Sequence, residues 1–329
     1  MKEPTFWHEQ DRYSRRSAPV TRQLLTPLSS LYAWAGQRRI DTTEPEDCGI
    51  PVICVGNLTV GGSGKTPVVA YVRDWLTRQG IRAASLSRGY KGEHKGPLKV
   101  DTNLHTAAMV GDEPLMLASS GEAWISADRV AGAHNMAYDK VQIIIMDDGH
   151  QNPTLQKDLS IVIIDGGNPV GNGHVFPKGP LREPVSRGLA RADAVIVMGE
   201  MTDPPPELAN FDGPVIQGQV TPRGPAPDGP LVAFAGIGRP QKFFDTLIAC
   251  GGELVETIPF PDHHTFSDAD QRFLRKLASE RSARLITTEK DFVRLSADRR
   301  ENILAFPVTV EFDDSRLDDL LAPLTRTKP

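Results

Sequence analysis

Residues 50–67 read IPVICVGNLTVGGSGKTP, and this stretch decides the fold. Ile50 to Val55 is a short apolar run rich in β-branched residues, the pattern of a strand buried on both faces. Thr59-Val60-Gly61-Gly62-Ser63-Gly64-Lys65-Thr66 is a glycine-rich turn ending in Gly-Lys-Thr. A helix is predicted over residues 66–79, with Val69, Val72 and Leu76 on its apolar face. Strand, glycine-rich loop and helix in that order are the context a phosphate-binding loop requires. Backbone N–H groups of residues 59–66 curl round phosphate oxygens, and the helix N-terminus adds its partial positive charge. Lys65 then reaches the β- and γ-phosphates, and Thr66 is placed to ligate Mg2+. Thr59 is a departure, since the standard pattern has glycine there.

Outward from this loop the chain alternates apolar runs with helical stretches. Residues 83–86, 141–146 (VQIIIM), 159–164 (LSIVII) and 194–198 (AVIVM) read as strands, and a helix begins at residue 113. Near-continuous apolar strands separated by helices predict a parallel sheet covered on both faces, an α/β fold of the P-loop NTPase type. Asp147 and Asp148 end the run Ile143-Ile144-Ile145-Met146. A carboxylate at the carboxyl edge of a buried strand can hold Mg2+ or its water shell. Two adjacent carboxylates are costly to bury without a cation, although either could instead cap the next turn. Val60 stands where partition-type ATPases carry a second lysine. Thr288-Glu289-Lys290-Asp291 has the letters of a guanine-reading motif in the wrong order, so ATP is the expected nucleotide.

A proline-rich stretch over residues 203–230 reads as a linker. Past it, residues 231–235 and 284–287 read as strands and residues 240–250 and 268–281 as helices, a second α/β unit. The predicted division is a membrane-associating region over 1–40, a P-loop core over 41–215 and a smaller α/β domain over 216–329, whose last residues can return to the core. In the first region Val20, Leu24, Leu25, Leu28, Leu31, Tyr32 and Ala35 recur at helical spacing. Arg12, Arg15, Arg16 and Arg22 precede that face and Arg38 and Arg39 follow it. Basic flanks and amphipathic aromatics suit an interfacial helix at anionic headgroups; the other reading is a helix packed on its own domain. No stretch approaches the roughly 20 apolar residues of a spanning helix, and residues 1–17 lack a signal-peptide pattern. The net charge of -5 over 329 residues argues against a nucleic-acid binder. Cys48, Cys54 and Cys250 show no metal-type spacing and suit a reducing compartment.

Further polar constellations fall in loops: Ser87-Arg88-Gly89-Tyr90, Gly111-Asp112-Glu113-Pro114, Leu181-Arg182-Glu183-Pro184 and Asp262-His263-His264. Taken in order with the phosphate loop, Asp147-Asp148-Gly149 and Thr287-Thr288-Glu289-Lys290-Asp291, they resemble the tetraacyldisaccharide 4'-kinase family, from the N-terminal helix to about residue 295. Thr59 in the phosphate loop is usual there. The family often continues Asp-Asp-Gly with Phe-Gln-His; here His150-Gln151-Asn152 follows Gly149, so Asn152 takes the place of the family histidine.

The resemblance implies transfer of the ATP γ-phosphoryl group to the 4'-hydroxyl of a tetraacylated glucosamine disaccharide 1-phosphate, yielding lipid IVA, at the cytoplasmic face of a bacterial inner membrane. It implies Asp112 as a catalytic carboxylate working with His263, whose ring Asp262 steadies. Lys65 and Arg88 become candidates for charge on the migrating phosphoryl group, with Arg182 behind them. Thr66, Asp147, Asp148 and Glu183 are the candidate metal ligands. No obligate protein partner is evident. Two other readings remain open on the residues alone: a soluble P-loop ATPase or small-molecule kinase, and a nucleotide-dependent membrane-binding module.

Overall fold

A computed structural model of the chain describes residues 4–9, 14–62, 64–201, 203–262, 264–296 and 299–326, without the side chain of Arg15. The chain opens with α1 (Pro19–Thr42), then lays down β1 (Val52–Asn57), α2 (Lys65–Arg78), β2 (Ala83–Ser87), β3 (Leu98–Lys99), α3 (Ala107–Val110) and α4 (Asp112–Ser120). There follow β4 (Ala123–Ile125), α5 (Arg129–Tyr138), β5 (Ile143–Asp147), β6 (Leu159–Asp165), α6 (Val185–Leu189), β7 (Ala194–Met198) and β8 (Val215–Pro222). A second unit runs through β9 (Pro230–Ala235), α7 (Pro240–Ala249), β10 (Glu253–Pro259), α8 (Asp268–Glu280), β11 (Arg284–Thr288), α9 (Glu289–Phe292) and β12 (Ile303–Phe306). The chain ends on β13 (Val308–Phe312) and α10 (Arg316–Leu321).

The larger sheet has the order β13-β8-β7-β6-β1-β5-β2-β4-β3, and the smaller β10-β9-β11-β12. In the larger sheet only the two outermost strands, β13 and β3, pair antiparallel. All pairings in the smaller sheet are parallel. The strand β8 lies inside the proline-rich stretch and pairs with β7. After the second unit β13 returns to pair with β8, Val310 opposite Val220.

The alternation of side chains explains why the central strands are apolar throughout. Ile53, Ile145 and Ile161 point to the face covered by Val68, Val72 and Leu76 of α2 and by Leu317 and Leu321 of α10. Their neighbours Val52, Ile144 and Met146 point to the other face, against Ala133 and Met136 of α5. Both faces are dry, so successive residues of β1 are all buried. The smaller sheet is covered likewise by Phe243, Phe244 and Leu247 on one side and Leu274 and Ala278 on the other.

Helix α1 is arranged the other way round. Its buried side chains are Arg22 and Ser29, and the Ser29 hydroxyl donates to the Val175 carbonyl at 2.7 Å. On the opposite side Val20, Leu24, Leu28, Leu31 and Trp34 are between 55% and 72% exposed. Most of the apolar face predicted from the periodicity points away from the protein, while Leu25 is half-buried and Tyr32 packs on Phe176. No helix among the described residues is long and apolar enough to cross a membrane.

Candidate functional site

β1 delivers the chain to the carboxyl edge of the larger sheet between β5 and β6. The loop that follows is stitched to residues 180–182. Thr59 forms a bridge with Leu181, the Val60 N–H donates to the Pro180 carbonyl at 2.7 Å, and Arg182 Nε donates to the Thr59 carbonyl at 3.1 Å. Thr59 is thus part of a short extended pairing, which explains a non-glycine residue at the loop's first position. Gly64 caps α2 with φ 83°, a left-handed geometry that disfavours a side chain. Gly61 and Gly62 are exposed and Thr66 is half-buried on the first turn of α2. Ser63 lies outside the described residues.

The Lys65 side chain is buried, with Nζ 3.5 Å from Asp148 Oδ1. Asp148 adopts a left-handed φ of 55° and its N–H donates to the Val55 carbonyl at 2.9 Å. That kink turns its carboxylate toward the loop, where Arg182 Nη1 donates to Oδ2 at 3.0 Å. Burial pushes the Asp148 carboxyl up, but Lys65 and Arg182 outweigh it and hold the group below the usual carboxylate range. Asp147 ends β5 and is 2% exposed. Its Oδ2 accepts from the Ser87 hydroxyl at 3.3 Å, while its Oδ1 is buried with no hydrogen-bond partner among the described residues. Burial first, then the Glu113 and Asp148 carboxylates, push Asp147 up to about 7. Arg129, which opens α5, is buried and lowered to about 10 by that burial, against the pull of Asp147. Arg88 is exposed and its charge is felt at Arg129.

Among the described residues no three His, Cys, Asp or Glu side chains are preassembled as a cation cage. A P-loop metal needs none, because it is held by one or two protein ligands, water and substrate phosphates. The buried and unpartnered Asp147 oxygen, with Glu113 and Asp148 adding negative charge, fits a divalent cation. Thr66, Asp147 and Asp148 are the residues that would hold it. Glu183 has other partners: both its oxygens accept from Arg191, at 2.8 and 2.7 Å, and Oε1 accepts from Gln151 at 2.9 Å.

Asp112 opens α4 after Gly111, whose φ is 93°. A Cβ at Gly111 would meet the Tyr90 carbonyl oxygen at 2.7 Å, so the turn that aims Asp112 tolerates only glycine. Arg294 Nε, from the second unit, donates to Asp112 Oδ2 at 2.7 Å. Asp262 lies on an exposed turn near Gly238, and His263 lies outside the described residues. His264 has a structural place: Nε2 is 3.0 Å from Asp270 Oδ2 and its ring stacks on Phe260 at 4.6 Å. Asn152 accepts the Thr154 N–H and hydroxyl at 2.9 Å each, closing a turn. His150 is buried with Nε2 at 2.9 Å from the Gly188 carbonyl, and burial lowers it to about 4, so it is neutral near pH 7.

Two residues at this site escaped the sequence reading, Arg129 and Arg294. Ser87 and Glu113 stand in polar constellations that the sequence shows, without the link to Asp147 that the structure gives each. Arg129 had no signal, lying near no predicted strand. Arg294 had none, since its partner is 182 positions away.

A phosphate loop opening a helix beside a strand that ends in paired carboxylates defines a P-loop enzyme of nucleotide phosphoryl chemistry. Comparison narrows the class. Residues 21–326 match the family described as tetraacyldisaccharide-1-P 4'-kinase, and the chain belongs to that family. It is 55% identical over 326 residues to the tetraacyldisaccharide 4'-kinase of Hyphomonas neptunium, covering 98% of each chain. It is 50% identical to that of Maricaulis maris, over 98% of this chain and 96% of the relative. Among solved structures it is similar to LpxK of Aquifex aeolicus in complex with ATP, with a TM-score of 0.75 and 29% identity. That match covers 93% of this chain and 99% of the other.

Proposed function

We propose that this chain transfers the γ-phosphoryl group of ATP to the 4'-hydroxyl of a tetraacyldisaccharide 1-phosphate, a step of lipid A biosynthesis. The observation that carries the reading is the end-to-end similarity to tetraacyldisaccharide 4'-kinases, 55% identical over 98% of both chains in one case. The phosphate loop and its carboxylates supply the chemistry such a reaction needs.

In the proposed mechanism residues 59–66 cradle the phosphates. Lys65 leaves Asp148 or shares its charge with the β- and γ-phosphate oxygens. The 4'-oxygen attacks the γ-phosphorus in line, the bond to the β,γ-bridging oxygen breaks, and ADP leaves with the electron pair. The hydroxyl proton passes to Asp112, with His263 and Asp262 assisting from the second unit. Arg88 would meet charge on the migrating group. Thr66, Asp147 and Asp148 would hold a Mg2+ ion, which would neutralise phosphate charge when bound. Glu183 keeps Arg191 and Gln151 in place behind the loop.

The acceptor is a lipid, and the outward apolar face of α1 supports a surface-bound enzyme. Burying even part of Val20, Leu24, Leu28, Leu31 and Trp34 is worth roughly 5 kcal/mol at about 25 cal/mol per Å2. Arg16 and Arg39 are exposed near the two ends of this helix and Arg38 stacks on Trp34 at 5.6 Å. They suit anionic headgroups on a peripheral or monotopic protein at the cytoplasmic membrane face.

The test is a kinase assay with ATP, Mg2+ and tetraacyldisaccharide 1-phosphate in mixed micelles. Equal amounts of ADP and doubly phosphorylated lipid are expected. ADP formed without lipid phosphorylation would make the chain an ATPase, and vesicle binding without turnover would make it a binding module.

A further inference from the structure

The motif Thr287-Thr288-Glu289-Lys290-Asp291 has no part in the mechanism above, yet it is among the most tightly built places in the molecule. Asp291 is fully buried. Its Oδ2 accepts from the Gly236 N–H at 2.9 Å and the Thr288 hydroxyl at 2.8 Å. The Thr288 hydroxyl in turn accepts the Asp291 N–H at 3.0 Å, capping α9. Asp291 Oδ1 takes Arg294 Nη1 at 2.7 Å, and the same nitrogen is 2.9 Å from the Gly236 carbonyl. The Arg294 side chain is 6% exposed. The guanidinium is therefore locked through Nη1 into the second unit, and its Nε reaches out to Asp112 Oδ2 at 2.7 Å.

We infer that Arg294 is the positioning residue for Asp112: the second unit, through the Asp291–Arg294 pair, fixes the carboxylate that takes the substrate proton. This rests on the reading of Asp112 as that proton acceptor. The physical case is geometric. A short aspartate at the first position of a helix has few rotamers but no intrinsic reason to prefer one. A planar guanidinium bound to one oxygen fixes the plane of the carboxylate. Building that donor on a capped turn with a buried counter-ion holds it without a flexible stem. Removing such a support displaces a reacting group by an ångström or so, which costs on the order of 10²-fold in rate. The other charged groups on elements packed at this end of α4 are Glu113 on α4, Lys65 on α2, Arg88 past β2, and Glu289 and Lys290 on α9. Glu289 is taken by the Val308 N–H at 3.2 Å.

The experiment measures kcat and the KM for ATP and for lipid in full-length Arg294→Gln, Arg294→Lys and Asp291→Asn/Arg294→Gln, with Asp112→Asn as reference. The double substitution removes both charges of the pair, so that no carboxylate is left buried and uncompensated. Expected is a kcat fall of about 10²-fold with an unchanged KM for ATP in both glutamine variants, and partial recovery with lysine. Adding Arg294→Gln to Asp112→Asn should cost nothing further, because the arginine acts through the aspartate. Wild-type kcat in a folded Asp291→Asn/Arg294→Gln protein overturns the inference, as does a multiplicative loss with Asp112→Asn. Full activity of Asp112→Asn alone instead overturns the reading of Asp112 itself.

Discussion

Replacing Asp147 by asparagine should make the metal-free protein more stable while destroying its activity, and the gain should depend on pH in a defined direction. Asp147 is buried with one oxygen unpartnered among the described residues, and its carboxyl is pushed up to about 7 from 3.8 by burial, Glu113 and Asp148. At about 1.36 kcal/mol per pH unit, ionising it in the folded state costs on the order of 4 kcal/mol. Burying an amide that keeps one partner takes back about 1–2 kcal/mol, leaving a net gain of roughly 2–3 kcal/mol. For a chain of this size that is about 3–4 °C in Tm. Between pH 4 and 7 the folded state holds a proton that the unfolded state has lost, so wild-type stability falls as pH rises through this window. At pH 4 only the amide cost remains, so Asp147→Asn is accordingly less stable than wild type by about 1–2 kcal/mol there, and its advantage grows through this window and is complete above pH 7. The assay is thermal unfolding of both proteins in chelator from pH 4.5 to 8.5, repeated with Mg2+ and ATP. Ligand should raise the wild type selectively and close the gap. An advantage that is flat with pH, or a variant less stable than wild type at pH 8, would refute the account of Asp147 as a carboxylate held for a cation.

Three further outcomes are expected. Lys65→Ala should abolish turnover with circular dichroism unchanged; an active variant removes the phosphate-loop assignment. Leu24→Glu, Leu28→Glu and Leu31→Glu together should release the protein from anionic vesicles while leaving Tm and ATP binding intact, because these side chains already face outward; a drop in Tm would mean the face is packed. Asp112→Ala and His263→Ala should each lower kcat by about 10²–10⁴, and the double variant should lose little more than the worse single one; strictly multiplicative losses would assign the two residues independent roles.

Much of the nucleotide side was legible because it is local. A strand, a turn and a helix adjacent in sequence carry residues 59–66, and a buried strand carries Asp147 and Asp148 to the same sheet edge. The periodicity of α1 showed an apolar stripe but could not say which side meets the protein. That answer depends on Arg22 being buried and on Ser29 finding the Val175 carbonyl on the body of the fold, which no pattern within the helix encodes. The strand β8 was hidden because prolines around it suggested a linker. Pro214 and Pro222 sit at its two ends, where a missing N–H costs no ladder hydrogen bond. The edge strands β10 and β13 alternate or are half-exposed and lack the apolar run that betrayed the centre. Arg294 becomes visible only when a segment 182 positions away is brought against Asp112.

The segment from Val175 to Glu183 joins α1 to the phosphate loop. At one end the Val175 carbonyl takes the Ser29 hydroxyl of α1, and Phe176 packs on Tyr32 with ring centres 5.2 Å apart. Val175 then bridges to Leu181, and Leu181 bridges to Thr59 of the loop. At the other end Arg182 binds both the Thr59 carbonyl and Asp148, and Glu183 is held by Arg191 and Gln151. From the polar side of α1 to Thr59 and Asp148, every link is a hydrogen bond, a bridge or a packed ring within one short segment. On the surface-bound reading, this stiffness has a consequence. The depth of α1 in the headgroup layer sets the height of the phosphate loop above it, so a sugar hydroxyl presented by the bilayer meets ATP at a fixed distance. The acceptor then needs few contacts of its own to be positioned, because the membrane and the 175–183 segment remove most of its freedom before it binds.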